Sequence, residues 1–321
     1  MIERVGLVGA AGAVGKSVGD ALSRRGRAFR AIGRSGSALE EAFGSSPAVE
    51  RVTWSPGEPS SVRAALRGLD TLVYLVGVPY HQFHLHPEVM RQTLEGAIAE
   101  GVRRMLLVGT VYPYGLLRSA PVTEDHPREP HTHKGRMRKA QEDLLLEADA
   151  AGKVRGTILR LPDFYGPDVE KSFLHGVFFA ALHGGTANMI GPIDTPHEFV
   201  FVPDVGPVLL DLADRSEAYG RTWHLGGAGT ITQRELATKV FAAVGRPPRI
   251  RVAGRTTLRL MGLFNPLLRE LVEMSYLHTT PVVLDDSALH RLLGPVRKTS
   301  YEEGIRKTLE AMRAQPTARA A

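Results

Sequence analysis

Within its first fifteen residues the chain carries the turn Gly9-Ala10-Ala11-Gly12-Ala13-Val14-Gly15, and this turn narrows the fold more than any other feature. It follows a short apolar run, Val5-Gly6-Leu7-Val8. It opens a segment from Gly15 to Arg25 in which Val14, Val18, Ala21 and Leu22 share one helical side. Glycines spaced Gly-x-x-Gly-x-x-Gly at a strand-to-helix junction meet three needs: a tight turn, close backbone approach to a pyrophosphate, and close packing of helix on strand. The helix N-terminus then offers free N–H groups and the positive end of its dipole to phosphate oxygens. Gly9, Ala11, Gly12, Ala13, Val14 and Gly15 are therefore read as a cofactor loop. A glycine-rich turn without a ligand has the same spacing; the placement between an apolar strand and a helix favours the dinucleotide reading.

The next strand-like run, Phe29-Arg30-Ala31-Ile32, ends in Gly33-Arg34-Ser35. An acidic side chain there would hold the adenosine ribose hydroxyls of NAD. Arg34 instead offers a guanidinium where the 2′-phosphate of NADP would sit, although a solvated arginine is the plain alternative. The expected cofactor is NADP(H).

Further apolar runs at Val49–Trp54, Asp70–Val76, Met105–Val108 and Gly156–Leu161 alternate with helical patterns at Ser61–Leu66, Pro87–Glu100 and Arg136–Ala151. Apolar strands between amphipathic helices imply a parallel sheet covered on both faces, hence an α/β, doubly wound Rossmann domain. After Gly166 the pattern becomes irregular, with Gly184-Gly185, Gly191-Pro192 and Gly226-Gly227 as breakers. Helices are expected at Thr232–Val244, Thr257–Met274 and Tyr301–Ala314, before a fraying tail, Gln315–Ala321. The expected division is 1–165 for the NADP-binding domain and 166–321 for a smaller, more helical substrate lobe. Strand pieces near 199–202 and 222–225 are expected to rejoin the first domain.

There is no cysteine, which excludes disulfides, zinc–thiolate sites and thiol nucleophiles. The formal charge of +6 is carried mostly by scattered arginines, with no basic run interleaved with aromatics, so a solvated basic surface is favoured over nucleic-acid binding. The chain shows no signal-peptide pattern and no uncharged apolar run long enough to span a bilayer, so a cytoplasmic protein without membrane association is expected.

Later segments add family evidence. They are Gly68-Leu69-Asp70-Thr71-Leu72-Val73-Tyr74-Leu75-Val76-Gly77, Gly101-Val102-Arg103-Arg104, Thr110 through Tyr114-Gly115, and Leu159-Arg160-Leu161-Pro162 with Tyr165-Gly166-Pro167. Phe201-Val202-Pro203-Asp204-Val205 and His224-Leu225-Gly226-Gly227 follow. With the glycine loop, these resemble the extended short-chain dehydrogenase/reductases, the NAD-dependent epimerase/dehydratase group, from residue 5 to about 245. The resemblance implies that Val76, Gly77, Pro162 and Tyr165 line the cofactor. It also implies that a Ser or Thr after the fifth strand orients the substrate oxygen, and that a Tyr-x-x-x-Lys pair on the next helix moves the proton. Thr110 fills the first position. Anchored on Glu142, the pair is Lys134 and Arg138, so the family tyrosine is replaced. A Lys-x-x-x-Arg at this place resembles the isoflavone-reductase-like members, in which lysine relays the proton. Thr110, Lys134 and Tyr112 are the candidate catalytic residues. Lys134 and Arg138 are also read as cofactor contacts, and a structural role for both stands beside the catalytic one. Pairing as a homodimer is implied by the resemblance alone.

On the substrate side, beyond the strand ends, Tyr80, His81, Tyr112, His133, Phe164 and Phe173 are the candidates. His81, His84 and His86 are read as a loop lining the site and not as a metal site. The apolar segment Leu258–Tyr276 (Leu260, Met261, Leu263, Phe264, Leu267, Leu268 and neighbours, broken at Asn265-Pro266) is read as packed helices or a lid. Arg246, Arg249, Arg251 and Arg255 keep a nucleotide diphosphate open as a ligand. The leading expectation is an NADP(H)-dependent oxidoreductase acting on a small, largely apolar carbonyl, enone or alcohol. The alternatives are an epimerase or dehydratase that retains its cofactor, and a non-catalytic NADP(H) sensor.

Overall fold

Strands without a polar face need cover on both sides, and here they have it. β1 (Val5–Val8) is buried at every position. α1 (Ala13–Arg24), β2 (Phe29–Gly33), α2 (Gly36–Phe43), β3 (Val49–Thr53), α3 (Pro59–Leu66) and β4 (Thr71–Tyr74) follow in strict alternation. α4 (Leu85–Ala99), β5 (Arg104–Thr110), α5 (His133–Ala150) and β6 (Arg155–Leu161) continue it. The computed structural model describes residues 4–44, 46–170, 172–263 and 266–314, without the side chains of 255, 259, 261, 262 and 266–268. The expectations for Asn265, for the tail Gln315–Ala321 and for the side chains of Arg255, Met261, Phe264, Leu267 and Leu268 lie outside the described residues.

Successive β1 side chains enter opposite cores, as a period of two requires. Val5 and Leu7 pack with Val18 and Leu22 of α1, whereas Val8 packs with Val62 of α3, Met90 of α4 and Leu145 of α5. β1 lies between β2 and β4 and is parallel to both. The chain thus winds outward through β2 to β3, then returns to start again at β4, which places a topological switch point at the carboxyl ends of β1 and β4.

Beyond β6 come β7 (Asp163–Tyr165), α6 (Phe173–His183), β8 (Ala187–Ile190), β9 (Pro196–His197), β10 (Phe199–Phe201), α7 (Val205–Ala213) and β11 (Arg221–His224). β12 (Ile231–Thr232), α8 (Gln233–Ala243), β13 (Ile250–Ala253), α9 (Arg255–Gly262), α10 (Pro266–Met274), α11 (Ser287–Leu293) and α12 (Tyr301–Ala314) complete the described chain. β11 pairs with β6 and becomes the seventh parallel strand of the main sheet. The piece at 199–202 behaves differently: β10 pairs with β7 in a separate two-stranded ribbon. α7 returns to the first core and lies so close to α1 that a Cβ at Gly206 would stand 2.2 Å from the Ser17 carbonyl oxygen. Neither α6 nor α7 has a readable helical period. Phe173–His183 is apolar almost throughout, and Val205–Ala213 carries Gly206 and Pro207 near its start.

The loop after β5 is fixed to β11 by one short contact. The Tyr114 hydroxyl lies 2.6 Å from His224 Nε2, and His224 Nδ1 lies 3.1 Å from the Asp285 carbonyl oxygen. A carbonyl can only accept, so Nδ1 carries the proton and Nε2 accepts from the tyrosine. Burial, helped by the nearby Arg160 cation, lowers the His224 pKa to about 4. An unfolded chain takes up that proton near pH 6.5, so this stabilisation is complete above pH 6.5 and is lost as pH falls toward 4. Thermal unfolding followed from pH 7.5 to 4 should show the loss, on the order of 2–3 kcal/mol for this group. His224→Gln should be less stable at pH 7.5 and less sensitive to acid; an unchanged pH slope in that variant would show that His224 is not the titrating group.

Candidate active site

The glycine loop sits at the switch point. The N–H groups of Gly9 and Ala10 donate to the Ile32 carbonyl at 2.9 and 3.2 Å, and Gly9 has a φ of +87°. A Cβ at Gly9 would lie 2.8 Å from the Leu75 carbonyl carbon, and one at Gly15 would lie 2.1 Å from the Ala10 oxygen. Gly12 is the N-cap of α1, with no side chain capping the helix. Its own Cβ would meet only the Gly9 oxygen, at an ordinary 3.5 Å. The first N–H groups of α1 therefore point into open space with no intrahelical acceptor. This concave, uncapped helix start fits a pyrophosphate. Val76 and Gly77 leave β4 alongside it, and space beside Gly77 is open. Arg34 follows β2, exposed and without an ion pair among the described residues.

Two expected cofactor residues have their side chains engaged elsewhere. Tyr165 is buried in a core of its own, stacked on Phe178 and Tyr301 at 6.2 and 6.1 Å. Pro162 is also buried. Arg138 is bound on three sides: Nη2 donates to the Val108 carbonyl at 3.0 Å, and Nη1 to Gln141 Oε1 at 2.7 Å and His86 Nδ1 at 3.3 Å. Burial, together with the Arg138 charge, drives the His86 pKa down to about 2, which leaves its ring as the neutral acceptor this bond needs. Arg138 thus ties α5 to β5 and α4.

The remaining catalytic candidates do converge. Thr110 ends β5, and its Oγ1 accepts from the Tyr112 N–H at 3.3 Å. The Tyr112 hydroxyl lies 3.2 Å from that of Tyr80, and Phe83 stacks against both rings. Burial holds both phenols above their ordinary pKa, so they are neutral at physiological pH. Lys134 lies in the first turn of α5, which Thr132 caps by accepting from the Gly135 N–H at 3.1 Å. Its ammonium lies 5.6 Å from the centre of the Tyr80 ring. Among the other substrate-side candidates, Phe164 and Phe173 are half-buried, and Phe173 meets His278 edge-on at 5.6 Å. His81 and His133 are exposed.

Charges that the sequence reading missed complete this region. Lys134 is almost fully buried, and Nζ lies 2.5 Å from both Glu270 and Glu273 of α10. Glu273 also accepts the Lys134 N–H at 3.0 Å. Burial works to raise the Glu273 carboxyl, but the hydrogen bonds from Lys134 outweigh it and hold it below the usual range. The close charged neighbours of Lys134 are thus carboxylates and not Arg138. Glu270 and Glu273 are three apart on one helix, a spacing that puts both on one side, so the pair could have been noticed within the apolar segment. Asp163, the first residue of β7, accepts from His197 Nε2 at 3.0 Å. Burial raises its carboxyl, but His197 outweighs that and holds it low. Among the described residues, no group of three or more His, Asp or Glu side chains could hold a metal ion, and no helix is long and apolar enough to cross a membrane.

Comparison with known proteins agrees with this layout. Over 266 residues the chain is 29% identical to dTDP-6-deoxy-L-talose 4-dehydrogenase (NAD(P)(+)) of Kitasatospora kifunensis, covering 77% of this chain and 81% of that one. It is 28% identical over 151 residues to 2'-dehydrokanamycin reductase of Streptomyces kanamyceticus, 46% of this chain and 43% of that protein. Among solved structures, a dTDP-glucose 4,6-dehydratase of Streptomyces venezuelae with NAD bound superposes with a TM-score of 0.82 at 19% identity, covering 97% of each chain. A UDP-glucuronic acid 4-epimerase of Bacillus cereus in complex with NAD gives 0.81 at 16% identity, covering 97% and 98%. These two establish the shared fold. The sequence model of the NAD dependent epimerase/dehydratase family matches residues 5–226. That match begins at the first residue of β1 and ends just past β11. It takes in the whole seven-stranded sheet with its glycine loop, and on that extent the chain belongs to the NAD-dependent epimerase/dehydratase family.

Proposed function

We propose that this protein is an NADP(H)-dependent oxidoreductase that interconverts a carbonyl and an alcohol on a small substrate. The observation that carries the reading is the uncapped start of α1, open at the switch point of the sheet that also ends in Thr110. The two relatives named above, a dehydrogenase and a reductase, support a net redox reaction. When bound, the nicotinamide supplies or accepts hydride. The chain's residues do the rest. The N–H groups of Ala13 and Val14 hold pyrophosphate, and Arg34 pairs with the 2′-phosphate. The Thr110 hydroxyl orients the substrate oxygen. Lys134, with the neutral Tyr112–Tyr80 phenol pair beside it, moves the proton at that oxygen. Phe83 and the tyrosine rings keep water away from it.

Three measurements test this. Gly12→Val should fold, since the new Cβ has room, yet bind NADPH at least tenfold more weakly, about 1.4 kcal/mol. Gly15→Ala should lower Tm as well, because its Cβ would collide with the Ala10 backbone. Near-normal NADPH binding by Gly12→Val would remove the loop from the cofactor site.

Arg34→Ala should cost NADPH roughly 10- to 100-fold in Kd and leave NADH unchanged, the size of a lost charge-assisted bond. A wild-type protein that binds NADH as tightly as NADPH contradicts the NADP assignment. Cofactor that survives purification would favour the epimerase or dehydratase alternative.

Lys134→Met should lower kcat by roughly 10²- to 10⁴-fold with NADPH affinity retained. Its Tm should fall too, because Glu270 and Glu273 lose their cation. Lys134→Arg should keep the charge without restoring turnover, because guanidinium gives up no proton near neutral pH. Wild-type kcat in both variants would make Lys134 structural.

A further inference from the structure

On the substrate side, among the described residues, the carboxylate of Asp163 meets histidines and no lysine or arginine. Asp163 stands just past the end of β6, where the chain leaves the main sheet. One carboxylate oxygen takes the His197 hydrogen bond; the other has no hydrogen-bond partner among the described residues. The Asp163 side chain is 28% exposed and that of His197 only 3%, so the imidazole is the deeper of the two and the carboxylate the one that reaches the surface. His278 lies behind as well, bound through Nδ1 to Gln233 Nε2 at 2.7 Å and kept toward the neutral form by burial.

Three phenols lie near this carboxylate. Burial raises the phenols of Tyr80, Tyr112 and Tyr276, and the Asp163 charge acts on all three in the same direction. They are therefore neutral, with ring faces that attract cations and hydroxyl oxygens that can accept. The Tyr276 phenol is buried beside Thr132 without a hydrogen bond of good geometry. The other charges nearby do not offset Asp163, since the Lys134 ammonium already meets Glu270 and Glu273. Two of the arginines that could have met a diphosphate lie elsewhere. Arg249 donates to the Gly184 carbonyl at 3.3 Å, and Arg246 packs against the same glycine, at the turn closing α6.

We propose that Asp163, held by His197, is the specificity-determining residue of this cleft and pairs with a protonated amine on the substrate. The proposal rests on the oxidoreductase reading above and names its substrate class: a small alcohol or carbonyl compound bearing an ammonium group. The ammonium donates to the open Asp163 oxygen and lies against the tyrosine rings. A diphosphate in the same place would meet a carboxylate with one oxygen left open, and the like charges would repel.

The test is calorimetric titration with glucosamine, N-acetylglucosamine and thymidine diphosphate, with and without saturating NADPH. Glucosamine should bind at least tenfold more tightly than its N-acetyl counterpart and more tightly than thymidine diphosphate. Asp163→Asn should erase the amine preference with NADPH affinity unchanged. Equal binding of the two sugars, binding of neither, tighter binding of the diphosphate, or an amine preference kept by Asp163→Asn overturns the proposal. Should that variant fail to fold, the wild-type protein still decides: amine affinity must weaken as ionic strength rises, and a salt-independent affinity overturns it. A protein that binds the amine but not NADPH would remove the cofactor reading and leave Asp163 standing.

Discussion

A buried ion pair between Glu142 and Arg160 holds the two halves of the site in register. Both side chains are at most 2% exposed. Arg160 Nε donates to Glu142 Oε1 at 3.0 Å, Nη2 donates to Oε2, and the guanidinium lies 4.3 Å from the centre of the Tyr114 ring. Burial opposes the Arg160 charge, but Glu142 outweighs it and keeps the cation. Such a pair adds little net stability over an apolar replacement, yet removal of one partner strands the other and typically costs about 3–5 kcal/mol. Its contribution here is position. Glu142 sits two turns along α5 from Lys134, Arg160 sits on β6 just before Asp163, and Tyr114 carries the link to His224 on β11. Gly109 on β5 is glycine because a Cβ there would press on Glu142 Oε1 and Arg160 Cγ at 3.0 and 3.1 Å.

The cleft that results is electrically divided. The Rossmann sheet presents the positive ends of peptide dipoles at α1 and, with no ion pair among the described residues, the Arg34 guanidinium. The lobe side presents Asp163, Glu270 and Glu273. An anionic cofactor and the cationic substrate proposed above would each be drawn to their own wall, and each discouraged from the other's.

How much of this is legible in the sequence follows from range. β1, the glycine turn and the strand–helix alternation are local patterns, so they read directly and lead to the right fold. α6 and α7 do not, because an all-apolar helix and a helix opening with Gly206-Pro207 lack the period that marks a half-buried one. Thr110 and Lys134 come from family spacing and Tyr112 from its place after β5; Tyr112 and Lys134 meet through Tyr80, and Thr110 bonds the Tyr112 backbone. The Asp163–His197 bond joins residues 34 apart, and the Lys134–Glu273 contact spans 139, so no local pattern records either. Arg138 and Tyr165 show the converse. Arg138 turns inward because its neighbours offer acceptors and Tyr165 because aromatic rings stack on it, and only the folded chain reveals which neighbours those are.

Lys134 is the shared cation of two glutamates, so an anion could bind it only in exchange for them. An anionic group that took the ammonium for itself would leave Glu270 and Glu273 side by side without a counter-charge, and like charges so placed push apart. The same displacement would free the N–H at the start of α5 that Glu273 now occupies. Entry of negative charge at α5 and loosening of α10 are therefore one equilibrium seen from two ends: whatever tightens α10 must weaken anion binding at Lys134 by the same factor.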